Sequence, residues 1–248
     1  MNIQTALLQG VKLLEDGAIS VPRLTAEVLL VHALGRERSY LYAHPEEPLS
    51  EVAWLHYGRY LHERLKGKPT QYITGRQEFY GREFRVMPDV LIPRPETEHL
   101  VEAALVRIRP GDVVLDVGTG SGILAIASRL LGAKLIFACD NDTVATQVAR
   151  ANIERNAQDN VFIFCGSLEC VNTAAAGLAL GNLTADVIRD LLPDFHRVLM
   201  TQGMAIFSGI LIEQAEEVRT WIVNAGFIIH EEFTQGEWLA LVVEKHGP

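Results

Sequence analysis

The 248-residue sequence predicts an α/β protein in which a doubly wound, mostly parallel sheet follows a small helical domain. Three observations predict this. From Asp112 onward, short apolar runs alternate with amphipathic runs of helical spacing, the pattern of a parallel sheet covered on both faces. Over roughly the first seventy residues the apolar positions repeat with the helical period alone. Between these halves, around Gly75 and Gly81, the period is two.

The elements follow in chain order. TAEVLLVHALG carries Thr25 in the place of an N-cap and Gly35 as a stop. SEVAWLHYGRYLHERLKGKP has Ser50 as N-cap, basic residues in its last turn, and Gly67 and Pro69 beyond it. His56 and His62 are expected on a helix surface. QYITG, EFYG and REFRV alternate apolar with polar and are expected to form a β-hairpin or β-connector. In MPDVLIPRPETEHLVEAAL the prolines 88, 93 and 95 break any regular element, after which Thr97 or Glu98 opens a helix. Strand and helix then alternate: DVVLDVG, GILAIASRLLGA, KLIFACD, TVATQVARANIERN, NVFIFCG, GLALGNL, ADVIRDLLPDFHRVLM, MAIFSGI, EQAEEVRTWIVNAGF and a final strand WLALVVEK. The expected domains are 1–70, a linker over 71–95, and 96–248.

Composition excludes several classes. A hydrophobic fraction of 48% supports an ordinary core. The longest apolar runs fall far short of the ~20 residues that span a bilayer. MNIQTALLQGVKLLEDG lacks the basic segment, apolar block and cleavage site of a signal peptide, so a cytoplasmic protein is expected. Cys139, Cys165 and Cys170 form neither a CxxC nor a paired framework and are read as buried or half-buried thiols of a reducing compartment. The eight histidines show no metal-ligand spacing, so no metal is expected. A net charge of −9 argues against a general nucleic-acid binder. The basic excess between Arg59 and Arg94 reads as a solvated face, or as a docking patch for an acidic or RNA-rich partner. No heptad asks for a second copy, and a monomer is expected.

The chemistry is concentrated in LDVGTGSGILA, Leu115 to Ala125. At the C-terminal end of a first parallel strand, glycines let a ligand lie against the backbone. The spacing selects the ligand. A dinucleotide fingerprint would need glycine at Ile123, and a phosphate loop would need lysine after Gly122. GxGxG preceded by Asp116 suits a cationic, phosphate-free nucleoside, and S-adenosylmethionine is such a molecule. Gly118, Gly120 and Gly122 are assigned to close approach, with Thr119 in the same loop. Asp116 is assigned to the amino-acid end. Asp140, closing the second strand eighteen residues after Gly122, is assigned to the ribose hydroxyls with Asn141 beside it. Glycine turns also serve to pack helix on strand, and a strand-terminal Asp can merely cap the next helix.

KPTQYITGRQEFYGREFRVMPDVLIPRPETEHLVEAAL closely resembles the connector of the release-factor glutamine N5-methyltransferases. The helical front resembles that family's substrate-recognition domain. GTGSGILAIA, GNLTADVI, FSGILIEQAEEV and GEWLALVV instead resemble the ribosomal protein L11 methyltransferases. The resemblance implies a class I methyltransferase, a Rossmann-like doubly wound sheet with a helical N-terminal domain and a β-hairpin linker. It implies S-adenosylmethionine as cofactor, with S-adenosylhomocysteine as product, and a protein of the translation machinery as partner. No membrane and no direct nucleic-acid substrate is expected.

Two departures bear on the chemistry. Where the glutamine methyltransferases carry Asn-Pro-Pro-Tyr, this chain has Asn182, Leu183, Thr184 and Ala185. Asn182 is assigned to orient the acceptor nitrogen and to border the cofactor; Leu183 offers a backbone carbonyl as second acceptor. Where many methyltransferases hold adenine with Asp, this chain has Ser167 followed by Leu168, expected to line the adenine pocket. Arg94, Glu96 and Thr97 wall the substrate site by resemblance alone; a rigid interdomain linker accounts for their prolines equally well. The leading expectation is methylation of a release-factor glutamine amide. The alternatives are methylation of a lysine or N-terminal amine of the L11 type, and a cofactor-binding module with little activity, as a decayed or recombined chain would be. A nucleic-acid base as acceptor is disfavoured by the acidic balance and by the lack of an aromatic after Asn182.

Overall fold

The computed structural model describes residues 1–79, 81–88, 92, 102–103, 106–156 and 158–247. They form two compact units, Met1–Arg76 and Gln77–Pro248.

The first unit holds five helices: α1 (Ile3–Asp16), α2 (Pro22–Leu34), α3 (Arg38–Ala43), α4 (Glu51–Leu65) and α5 (Thr70–Thr74). Asn2 caps α1 by accepting the Thr5 N–H at 2.9 Å, and Ser50 caps α4 by accepting that of Ala53 at 3.2 Å. Helix α2 begins three residues before Thr25, because Pro22 has the φ that suits a first helical position. Gly35 ends it at φ +62°. QYITG is helical rather than extended: Pro69 and Gly75 punctuate a single turn, and the Gly75 N–H closes it on the Gln71 carbonyl at 2.8 Å. Five residues are too few for alternation to outweigh those two stops. Ile3, Leu7, Leu14, Leu29, Leu30, Tyr57 and Leu61 make the core. A wholly buried carboxylate, Glu27, sits among Arg23, Arg38 and Tyr42. Burial alone would raise its pKa, but those hydrogen bonds and charges hold it below the ordinary value.

β1 (Arg76–Phe79) and β2 (Arg82–Arg85), all but Arg76 in the second unit, form a two-stranded ribbon. The main sheet has seven strands: β3 (Val113–Val117), β4 (Leu135–Asp140), β5 (Val161–Cys165), β6 (Ala176–Asn182), β7 (Leu199–Leu211), β8 (Phe227–Gln235) and β9 (Trp238–Lys245). Their order is β5-β4-β3-β6-β7-β9-β8, parallel except where β9 runs against β7 and β8. Helices α6 (Ile123–Leu130), α7 (Thr143–Arg155), α8 (Ala185–Val198) and α9 (Ala215–Asn224) make the connections, with 3₁₀ turns at Leu168–Cys170 and Ile212–Gln214.

Two assignments change. Leu199 and Met200 belong to β7 and not to the preceding helix, so β7 runs for 13 residues. FIIHEEFTQ, which carries no clear periodic signal, is the edge strand β8; only its first residue, Phe227, is buried. Neighbouring residues of β3 point to opposite faces, Val114 joining the core under α6 and Leu115 the core under α8. Phe79 and Phe84 of the ribbon enter the α6-side core edge-to-face at 6.2 Å. Cys139 is buried, which pushes its thiol pKa up to about 12, whereas Cys165 and Cys170 are exposed, against expectation. Among the described residues no helix is long and apolar enough to cross a membrane and no cluster suits a metal ion.

Phe207 is fully buried and stacks edge-to-face on Phe195 at 4.9 Å. Phe207→Ala is expected to lower the unfolding free energy by about 3–5 kcal/mol in denaturant titration; a loss below about 1 kcal/mol would contradict this packing.

Candidate active site

Strand order reverses between β3 and β6, the switch point at whose C-terminal side open α/β sheets bind their ligands. The loop after β3 brings Gly118, Gly120 and Gly122 there, at φ +70°, +53° and +81°. Each lies in the left-handed region that side-chain-bearing residues avoid. A Cβ on Gly118 would run into Leu183 Cδ2, and one on Gly122 would meet Ala149 at 3.1 Å. Gly120 is different: apart from the Gly118 carbonyl at 4.0 Å, open space faces the position of its missing Cβ.

The loop spends four of its amides, those of Gly118, Thr119, Gly120 and Gly122, on the protein itself. The Gly118 and Thr119 N–H groups both donate to the Cys139 carbonyl, at 2.9 and 3.0 Å, and the Gly122 N–H to the Thr119 carbonyl at 2.8 Å. The Gly120 N–H donates to Asp140 Oδ2 at 2.9 Å. A phosphate would need these donors free. Asp140 therefore braces the loop from the neighbouring strand; its Oδ1 accepts the Asp142 N–H at 3.0 Å. A carboxylate offers about four lone-pair sites, so two remain for hydroxyl donors. Asn141 is exposed beside it.

Asp116 lies beneath the loop, wholly buried. Its Oδ2 accepts the Thr119 hydroxyl at 2.6 Å and the Ala125 N–H at 3.0 Å, so it caps α6 from nine residues away. Its Oδ1 is buried with no hydrogen-bond partner. Burial pushes its pKa up to about 6, against the two hydrogen bonds and with help from the Asp140 charge. Asp116 and the Thr119 hydroxyl thus shape the loop from below, and the full burial of Asp116 leaves it no surface for the direct contact expected of it.

Leu168 is likewise fully buried in the core, and presents no wall to a ligand. Its backbone is what matters locally: Arg197 donates to the Leu168 carbonyl at 2.7 Å and the Val171 carbonyl at 2.6 Å, while holding Asp194 at 2.8 Å. That grip fixes the segment carrying Ser167, which is half-buried and extended.

At the end of β6, Asn182 pairs in register with Ser208 of β7, and the Leu183 N–H donates to the Ser208 carbonyl at 2.9 Å. Strand β7 bulges there, with Gly209 at φ +83°. A Cβ on Gly209 would lie 2.6 Å from the Leu183 carbonyl oxygen and 3.1 Å from Asn182 Oδ1. The two acceptors therefore converge beside one residue that must be glycine. Arg94, Glu96 and Thr97 lie outside the described residues. Sequence reasoning missed Gly209, Arg197 and Asn152; only the glycine left a signal, in FSGI.

The profile of the ribosomal protein L11 methyltransferase family (PrmA) matches residues 95–246. The chain belongs to the ribosomal protein L11 methyltransferase family. The front of this L11-methyltransferase family member matches a different profile, the PrmC N-terminal domain, over residues 5–75. The release factor glutamine methyltransferase of Koribacter versatilis is 45% identical over 159 residues, 62% of this chain and 56% of that protein. The ribosomal protein L11 methyltransferase of Streptococcus equi subsp. zooepidemicus is 43% identical over 139 residues, 56% of this chain and 44% of that protein. The chain thus spans about half the length of these curated relatives. The crystal structure of ribosomal protein L11 methylase from Lactobacillus delbrueckii subsp. bulgaricus superposes with TM-score 0.60 at 30% identity, covering 68% of this chain and 90% of that one. The mixed ancestry read in the sequence is borne out, and the fold is that of the class I S-adenosylmethionine-dependent methyltransferases.

The raised pKa of Asp116 has a definite sign. The folded state holds this proton to about pH 6, the unfolded chain only to about 3.8, so ionisation costs stability as pH rises through that window. Two units correspond to roughly 3 kcal/mol. Asp116→Asn removes the titration, so the stability difference between parent and variant, measured by denaturant at pH 4 and pH 7, should shift in the variant's favour at the higher pH. An unchanged difference would contradict the buried charge.

Proposed function

We propose that this chain transfers the methyl group of S-adenosylmethionine to a side-chain nitrogen of a translation protein, a release-factor glutamine amide fitting best. The residues present suit that cofactor. Open space at Gly120 leaves a cradle for a nucleoside. Spare lone pairs on Asp140 suit the ribose hydroxyls, and Asn141 and Ser167, which follow the ends of β4 and β5, are proposed to border the nucleoside. The unpartnered Asp116 oxygen places negative charge under the loop, which suits an ammonium and a sulfonium. The cofactor supplies an already activated methyl group; the protein's task is to orient and desolvate the acceptor, worth roughly 7–11 kcal/mol.

The observation that carries the reading is the convergence of Asn182 Oδ1 and the Leu183 carbonyl beside Gly209. An amide nitrogen delocalises its lone pair and is a poor nucleophile. Two acceptors can take its two hydrogens and aim the nitrogen along one direction. The Leu183 N–H bond to Ser208 supplies the stiffness that proline supplies in Asn-Pro-Pro-Tyr. The match of the front to the PrmC N-terminal domain supports a release factor as the protein docked, with Arg94, Glu96 and Thr97 walling the site, in the cytoplasm where translation runs. A second reading, an amine acceptor of the L11 type, is favoured by the family of the catalytic half and by the absent Pro-Pro-Tyr.

The test is reaction of the full chain with release factor and with ribosomal protein L11, followed by peptide mass spectrometry. One added methyl on a glutamine is expected, and Asn182→Ala is expected to lower kcat about a hundredfold with cofactor affinity kept. A methylated lysine or α-amine establishes the second reading. Tight cofactor binding with neither protein modified overturns both.

A further inference from the structure

We propose that Asn152 is a positioning residue that locks the glycine loop to strand β2, making cofactor binding and the order of the β1–β2 ribbon one coupled property. This rests on the glycine loop being the cofactor site.

Asn152 lies on α7 and is completely buried. Its amide nitrogen donates to the Ser121 carbonyl at 2.8 Å and to the Arg85 carbonyl at 3.0 Å. Its Oδ1 accepts the Arg85 N–H at 2.7 Å. Both amide hydrogens and the oxygen are thus used, and no other side chain of that size supplies two donors and an acceptor in this arrangement. One helical turn later, Asn156 donates to the Glu83 carbonyl at 3.2 Å. Residues 83 and 85 of β2 present their polar groups on one edge, and residues 152 and 156 lie on one helix face. The face of α7 therefore stands in for a neighbouring strand along β2. Of the two asparagines, Asn152 alone also reaches the loop.

Ser121 is buried and sits between Gly120 and Gly122, both at positive φ. Fixing its carbonyl fixes the trace of the turn. Glycine removes the steric barriers that would otherwise hold such a loop, so an external tie is needed to keep it from collapsing into other conformers. Asp116, Asp140 and Cys139 hold the first half of the turn; at Ser121 the tie is a side chain shared with β2, so a ligand that orders this part of the loop also orders the ribbon, and a disturbance of the ribbon loosens the loop there.

Hydrogen exchange with mass spectrometry on the full chain, with and without S-adenosylhomocysteine, tests this. Calorimetry runs in parallel. In the parent, the ligand should slow exchange in the peptide covering residues 82–86, including the Arg85 amide. Asn152→Ala should weaken binding about two- to tenfold and abolish the ligand-dependent slowing there. Asn156→Ala should keep it, since Asn156 does not touch the loop. Asn152→Asp retains the bond from Arg85 N–H but turns a carboxylate oxygen to the Ser121 carbonyl, and should also lose the ligand-dependent slowing; a cooperative denaturant transition and slow exchange in the central strands, measured on both Asn152 variants, separate this loss from a folding defect. Binding in the parent without slowing at 82–86, or full slowing in either Asn152 variant, overturns the coupling alone. No calorimetric binding by the parent overturns the cofactor reading with it.

Discussion

The site depends on one carboxylate shut inside the protein. Asp116, the penultimate residue of β3, accepts from Thr119 and Ala125 and keeps one oxygen unpartnered. Through Thr119 it sets the first half of the glycine turn, and through Ala125 it sets where α6 begins. Burying that charge is costly, and a chain keeps such a group only where other parts need it. Here the loop leans on it from one side and on Asp140 from the other. Four of its amides, those of Gly118, Thr119, Gly120 and Gly122, are held by Cys139, Asp140 and Thr119, and the two carboxylates put negative charge beside the turn, which favours a cation over a phosphate.

The chain joins two ancestries around this turn. The two curated matches, 159 and 139 residues long, do not fit side by side in 248 residues, so they overlap. The first strands and the glycine loop are the natural place for a shared framework, since both families need the same cradle. The two profiles cover different parts of the chain, the PrmC N-terminal domain residues 5–75 and the L11 methyltransferase family residues 95–246, which include the corner after β6. At that corner the bulge in β7, and not a proline pair, brings two oxygens together.

Much of this was legible in the sequence, for physical reasons. The central strands are buried on both faces and read as continuous apolar runs. Strand β8 buries only Phe227, so its pattern carried almost no signal. The glycine loop is legible because few turns tolerate three left-handed residues. Asn152 is not, because a polar residue in an amphipathic helix looks like solvent-facing surface until tertiary packing puts the ribbon over it. Gly209 became meaningful only with the register of β6 on β7. Leu168 is not legible either, because a leucine in such a connection can face either way, and Arg197, 29 residues on in sequence, fixes which.

The most direct measurement of the central claim is a calorimetric titration of the full chain with S-adenosylmethionine and, separately, with a phosphate-bearing dinucleotide such as NAD. Saturable binding of the sulfonium compound is expected, weakened about tenfold or more by Asp140→Ala, and none of the dinucleotide. Binding of the dinucleotide, or sulfonium binding indifferent to Asp140, would contradict the claim.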